Sequence, residues 1–161
     1  MNRTLLFTLA TCAISAALLG QQSSSSTGVP KAQKVVFVCE HGAAKSIIAK
    51  QEFERLAKQN GLHVQAISRE TVPDAEIPKG IRDGLLADGM DVGAAKPVKI
   101  DAKDLKDAVK VVSFGPDLTE WMPKGAKAID WSPTPSPSQD YRAARDYIRK
   151  QLEGLVADLR K

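Results

Sequence analysis

The sequence predicts a single α/β domain, a four-stranded parallel sheet with helices on both faces. Three observations carry that expectation. Val35–Val38 is a continuous, β-branched-rich apolar run, as in a strand buried on both faces of a parallel sheet. Further strand candidates follow at Val64–Ile67, Val109–Phe114 and Ala126–Trp131. Segments with helical spacing of apolar residues lie between and after them, and strands alternating with helices define the class.

The elements can be justified in order. Residues 1–20, MNRTLLFTLATCAISAALLG, have a positive start at Arg3 and an apolar stretch from Leu5 to Leu19. That stretch is shorter than the ~20 apolar residues a spanning helix needs, so it reads as a secretory signal peptide cleaved after Gly20. The expected location is therefore exported, periplasmic or secreted, with no stable membrane insertion after cleavage. A retained signal anchor is one alternative. A lipid anchor at Cys12 is the other, although Thr11 fits that site poorly and the apolar run continues past it. Residues 21–33, Ser-rich with Gly28 and Pro30, read as a flexible linker, and the domain spans 34–161.

Within the domain, Ser46–Asn60 carries Ile47, Ile48, Phe53, Leu56 and Ala57 at helical spacing, stopped by Asn60-Gly61. Ile77–Asp88 places Ile81, Leu85 and Leu86 on one helical face. Asp101 caps a short helix reaching Ala108, and Asp117–Met122 reads as a turn of helix. The proline-rich loop SPTPSPSQ precedes a final helix, Tyr141–Leu159, which Asp140 would cap.

The formal net charge is +4, from 23 lysines and arginines against 19 acids. The basic residues are spread along the chain among acids, and aromatics make up 5%, so neither a basic footprint nor a base-stacking platform is present. Nucleic acid is excluded as a partner on that ground. Asp74, Asp83, Asp88 and Asp91 form no metal-ligand pattern with the two histidines, so no metal and no cofactor are expected.

The stretch carrying chemistry is Cys39-Glu40-His41-Gly42-Ala43-Ala44-Lys45-Ser46. It lies beyond the carboxyl end of the first strand, where α/β sheets bind ligands. The helix starting near Ser46 would aim its free N–H groups at the loop and favour an anion there. The same field, with Lys45 nearby, would stabilise a thiolate at Cys39. Gly42, Ala43 and Ala44 would let successive N–H groups form an anion-binding nest. From the residues alone, a buried structural cysteine before an ordinary β–α turn reads equally well. Lys45 reads as an anion ligand or as a solvated first-turn lysine, and His41 as a donor to the anion or as a surface residue. Glu40 would face outward. Trp131 and Tyr141 read as walls of an aromatic cleft or as core.

The segment VVFVCEHGAAKS resembles the phosphate loop of low-molecular-weight protein tyrosine phosphatases and the related thioredoxin-coupled arsenate reductases: a cysteine, five residues, then a basic residue and serine. AISRET (Ala66–Thr71), the DGMDVGAAKPVKIDAKDLKDAVKVVSF connection and the final helix extend the likeness over roughly residues 34–159. The resemblance implies that family's fold. It implies Cys39 as nucleophile, Ser46 as support for the thiolate, and Lys45 where the family has arginine. His41, Gly42, Ala43 and Ala44 would bind substrate. Counting back from Tyr141, the family's general-acid aspartate falls on Ser132, ahead of Pro133. The implied activity is phosphotyrosine-type phosphate-monoester hydrolysis through a Cys39 phosphoenzyme, weak or specialised. Its partner would be a phosphorylated protein, a small phosphate ester or another oxyanion. One alternative is a catalytically impaired oxyanion- or phosphoprotein-binding domain. The other is an arsenate-reductase-like or other thiol redox role, although Cys39 is the lone cysteine outside the leader and cannot relay a disulfide within the chain.

Overall fold

A computed structural model describes residues 33–41 and 43–161. The signal-peptide reading and almost all of the linker, and Gly42, lie outside the described residues. Four strands, β1 (Gln33–Cys39), β2 (Val64–Glu70), β3 (Ala108–Ser113) and β4 (Ile129–Asp130), form one sheet in the order β2-β1-β3-β4, all parallel. The helices are α1 (Ala44–Gln59), α2 (Lys79–Ala87), α3 (Ala102–Lys106) and α4 (Tyr141–Leu159). This is the expected single α/β domain.

β1 is central, and its residues from Val35 to Val38 have no exposure. Alternate side chains of a strand point to opposite faces, so one strand feeds two cores. Val35, Phe37 and Cys39 pack with Ile48 and Phe53 of α1, Leu85 of α2 and Ile148 of α4. Val36 and Val38 pack on the other face with Ile100, Leu105 of α3, Val111 and Leu118. Burying a side chain such as Phe37 contributes ~1.5–3 kcal/mol, so β1 is the element whose register the whole domain depends on.

The helix ends follow their local chemistry. Asp101 and Asp104 form a capping box on α3, and the Asp140 carboxylate accepts from the Ala143 N–H at the start of α4. At the end of α1, Asn60 donates to the Leu56 carbonyl, and Gly61 takes φ 66°, the left-handed conformation a helix stop favours in glycine. One strand is much shorter than the sequence suggests, and one turn is as expected. β4 is only Ile129–Asp130, because Ala126 donates back to Pro123 in a turn beside Gly125 and the chain joins the sheet late. Asp117–Met122 is a single hydrogen-bonded turn, with Trp121 and Met122 both donating to the Leu118 carbonyl. No helix among the described residues is long and apolar enough to cross a membrane.

Candidate active site

The register of the sheet builds the site. β1 and β2 pair in step from Gln33 with Val64 to Cys39 with Glu70, so both strands end at one level, with Cys39 and Glu70 side by side. The chain then turns through Ala43 at φ 48° and ψ 20° and enters α1. A non-glycine residue there costs ~1–2 kcal/mol, which the closely packed surroundings of buried Ala43 must hold. A left-handed residue followed by helical ones is the backbone pattern of an anion nest. No side chain caps α1 at Ala43, which leaves N–H groups of its first turn without intrahelical partners, at Cys39.

Cys39 is 4% exposed and lines a cavity of about 710 Å³ with His41, Ala44, Lys45, Ile81, Phe114 and Tyr141. Its Sγ donates to Ser46 Oγ at 3.1 Å, and the Ser46 N–H donates to the sulfur. Ser46 Oγ in turn donates to Glu70 Oε1 at 3.0 Å, and Glu70 Oε2 accepts the Val98 N–H at 2.6 Å. Both Ser46 and Glu70 are fully buried.

Burial and charge act on Cys39 and Glu70 together. Burial pushes the Cys39 thiol up from its ordinary pKa, and the Glu70 charge adds to that. The Ser46 hydrogen bonds and the Lys45 charge pull it down but do not prevail. Burial likewise pushes the Glu70 carboxyl up, against the hydrogen bonds from Val98 and Ser46 and the Arg69 charge.

Lys45 is half-buried, lines the cavity and makes no ion pair among the described residues. His41 is exposed on the rim, its Nδ1–H donating to the Val72 carbonyl at 3.1 Å. Glu40 is exposed but lines the cavity rather than facing away from it, with a carboxylate oxygen 3.6 Å from His41 Nε2. Ala44 lines the cavity, and Ala43 is buried beneath it.

Ser132 is elsewhere. Trp131 donates to the Ser113 carbonyl, and Thr134 donates back to the Trp131 carbonyl through both its N–H and its hydroxyl. The chain therefore turns at Ser132-Pro133, and Ser132 bonds Asp130 through its N–H and hydroxyl. Both line a second cavity of about 720 Å³ with Asp117 and Lys127. Ser136-Pro137, four residues on, is the pair that reaches the Cys39 cavity. The pair reached by counting back from Tyr141, Ser132-Pro133, therefore does not line the Cys39 cavity among the described residues. Among the described residues, the one carboxylate lining the cavity is the exposed Glu40.

Trp131 is core, packed against Phe37 and Phe114. Tyr141 lines the cavity, and its hydroxyl donates to Asp88 Oδ2, which Arg145 also holds. Among the described residues no group of three or more potential metal ligands comes together. Sequence reasoning missed Glu70. Its place follows from the register, which sets the last residue of one seven-residue strand beside the last of the other.

A thiol thus lies at the end of the first parallel strand, by the N-terminus of α1 and beside a lysine. The family described as PTS system, Lactose/Cellobiose specific IIB subunit, matches residues 34–134, and the chain belongs to it. That match includes the Cys39 loop. Among curated proteins the chain has no match.

Solved structures show the same fold. The low-molecular-weight protein tyrosine phosphatase of T. tengcongensis is 17% identical with a TM-score of 0.62, covering 79% of this chain and 99% of its own. The thioredoxin-dependent arsenate reductase of Corynebacterium glutamicum is 20% identical with a TM-score of 0.68, covering 82% and 64%. A mutant of YwlE, an arginine phosphatase, with a phosphorylated active-site serine is 16% identical with a TM-score of 0.63, covering 80% and 97%; YwlE is from Bacillus subtilis. The fold is thus that of the low-molecular-weight phosphatases and thioredoxin-dependent arsenate reductases.

Proposed function

We propose that the domain is a cysteine-dependent phosphoryl acceptor that slowly hydrolyses phosphate monoesters. The observation that carries this reading is Cys39 facing a cavity beside Lys45, at the uncapped N-terminus of α1. The Cys39 thiolate attacks phosphorus. An S–P bond forms, the P–O bond to the leaving group breaks, and that oxygen takes a proton from water. Lys45 and the first N–H groups of α1 hold the phosphoryl oxygens. Water then breaks the S–P bond, releasing phosphate and restoring the cysteine. The phosphorylated active-site serine in the YwlE mutant supports a covalent step at the equivalent strand end. Membership in a family of PTS subunits is compatible with phosphoryl handling.

Ser136 cannot protonate a leaving oxygen as a carboxylic acid does, and losing a general acid costs ~10²–10⁴ in rate. Lysine also grips phosphate less closely than the planar fork of arginine. Substrates with good leaving groups are therefore favoured. That same missing acid supports a second reading, an oxyanion- or phosphoprotein-binding domain without turnover. The apolar leader at residues 1–20 supports an exported location, which a mature N-terminus at Gln21 would establish.

The test is hydrolysis of p-nitrophenyl phosphate by the parent, Cys39→Ser and a Lys45→Arg, Ser136→Asp double variant. The expected result is slow turnover, abolished in Cys39→Ser and raised ~10²-fold or more in the double variant. Turnover surviving in Cys39→Ser overturns the covalent reading. Silence in the parent with activity in the double variant selects the binding reading, and silence throughout, with a mixed disulfide forming at Cys39, selects redox chemistry.

A further inference from the structure

Glu70 has no part in the scheme above, yet it is a fully buried carboxylate two hydrogen bonds from the nucleophile. Its other oxygen is held by the Val98 N–H, and its own backbone bonds both Val98 and Ile100, so the side chain is fixed from several directions. We propose that Cys39, Ser46 and Glu70 share one proton, and that the Cys39 thiolate forms by internal transfer to Glu70 through the Ser46 hydroxyl. Glu70 is then a positioning residue that acts through Ser46. The inference rests on Cys39 being the nucleophile of the reading above, but its test uses no phosphate.

The geometry allows two arrangements of the same atoms. In the first, the Cys39 S–H donates to Ser46, whose O–H donates to the Glu70 carboxylate, as the hydrogen bonds run here. In the second, a protonated Glu70 donates to Ser46 Oγ, and the Ser46 O–H donates to the Cys39 thiolate. The thiol proton goes to Ser46 and the Ser46 proton goes to Glu70. Both arrangements carry one negative charge and one shared proton, so no proton crosses to solvent. A hydroxyl suits the middle position because it donates and accepts at once.

The cations nearest the pair are divided between its two ends. Lys45 and the start of α1 act on Cys39, whereas Glu70 sits at the buried sheet end. The cation acting on Glu70 is Arg69, whose guanidinium forms a two-pronged pair with Asp104 at 2.8 and 3.1 Å. The neighbouring Lys99 meets Glu70 through a backbone bridge. Burial pushes both groups up from their ordinary values, and the Ser46 hydroxyl lies between them, so protons leave the pair in coupled steps.

The sign of the pH dependence follows. At low pH the pair holds two protons and the sulfur is a thiol. On losing the first proton it enters a one-proton range in which the thiolate fraction does not change with pH. Only above the second ionisation does the thiolate become complete.

The test is the rate of alkylation of Cys39 by iodoacetamide, a neutral reagent, read by peptide mass on the full chain across pH. The expected parent profile rises, runs flat over about two pH units or more, then rises again. Glu70→Gln and Ser46→Ala should each lose the flat range and follow one ionisation, falling about tenfold per pH unit below it. At the acid end of the parent's plateau, Glu70→Gln should react at least about tenfold more slowly than the parent. If Glu70 acts only as a repelling charge, Glu70→Gln will instead react faster at every pH below the thiol ionisation, which overturns the proposal. A parent profile with a single ionisation overturns it without any variant. A flat range with no p-nitrophenyl phosphate turnover would leave the relay standing and remove the hydrolase reading.

Discussion

At the residue scale, the outcome at the site turns on which side chain each position presents to the cavity. Cys39 was legible in the sequence because an apolar run ends on it and a small-residue loop follows. Ser46 was legible because it follows the loop lysine, although α1 opens two residues earlier, at Ala44. Glu70 was not, because a glutamate at the end of VQAISRE looks like the polar end of a strand until the register with β1 is known. That Ser132 lies at a second cavity was not legible, because the turn at Trp131–Thr134 depends on Trp131 joining the sheet, a tertiary event. Lys45 gives the residue-scale prediction. With no carboxylate partner among the described residues, its charge is available to an anion in the cavity. Lys45→Met should weaken inorganic phosphate binding by about tenfold or more, the value of a hydrogen bond to a charged group, measured by calorimetry. Lys45→Arg should keep or strengthen it. An unchanged affinity in Lys45→Met would identify a solvated lysine.

At the element scale, the strands and helices followed their periodicity, and the caps at Asp101 and Asp140 were readable because a carboxylate before a helix has few other uses. The packing of α2 on α4 was not readable. Gly84 lies where a Cβ would sit 2.7 Å from ring carbons of Tyr141, whose hydroxyl is pinned on Asp88. Alanine ordinarily improves a helix interior by about 0.5–1 kcal/mol over glycine. Here the overlap should dominate, and Gly84→Ala should destabilise by ~1–3 kcal/mol, measured by urea unfolding. In a Tyr141→Ala background the same change should become neutral or stabilising. A stabilising Gly84→Ala in the parent would mean that the ring moves aside freely. Because Tyr141 and Ile81 of α2 both wall the Cys39 cavity, this contact also sets the width of the site.

At the scale of the whole molecule, an aligned parallel sheet covered on both faces brings the ends of β1 and β2 to one level, beneath the start of α1. The class of fold was legible because continuous β-branched runs alternate with helical patterns. The short β4 was not, since a two-residue strand leaves no period to read. The arrangement has one consequence above the rest: it sets a nucleophile where a phosphoryl group can be held. The most direct measurement is intact-protein and peptide mass spectrometry after the full chain is quenched in the presence of acetyl phosphate, a small donor with a good leaving group. The account predicts one added phosphoryl group, located on Cys39 and absent from Cys39→Ala. Persistent absence of that adduct from both the parent and a Lys45→Arg variant, with inorganic phosphate still bound, would contradict it and leave a domain that holds oxyanions without reacting.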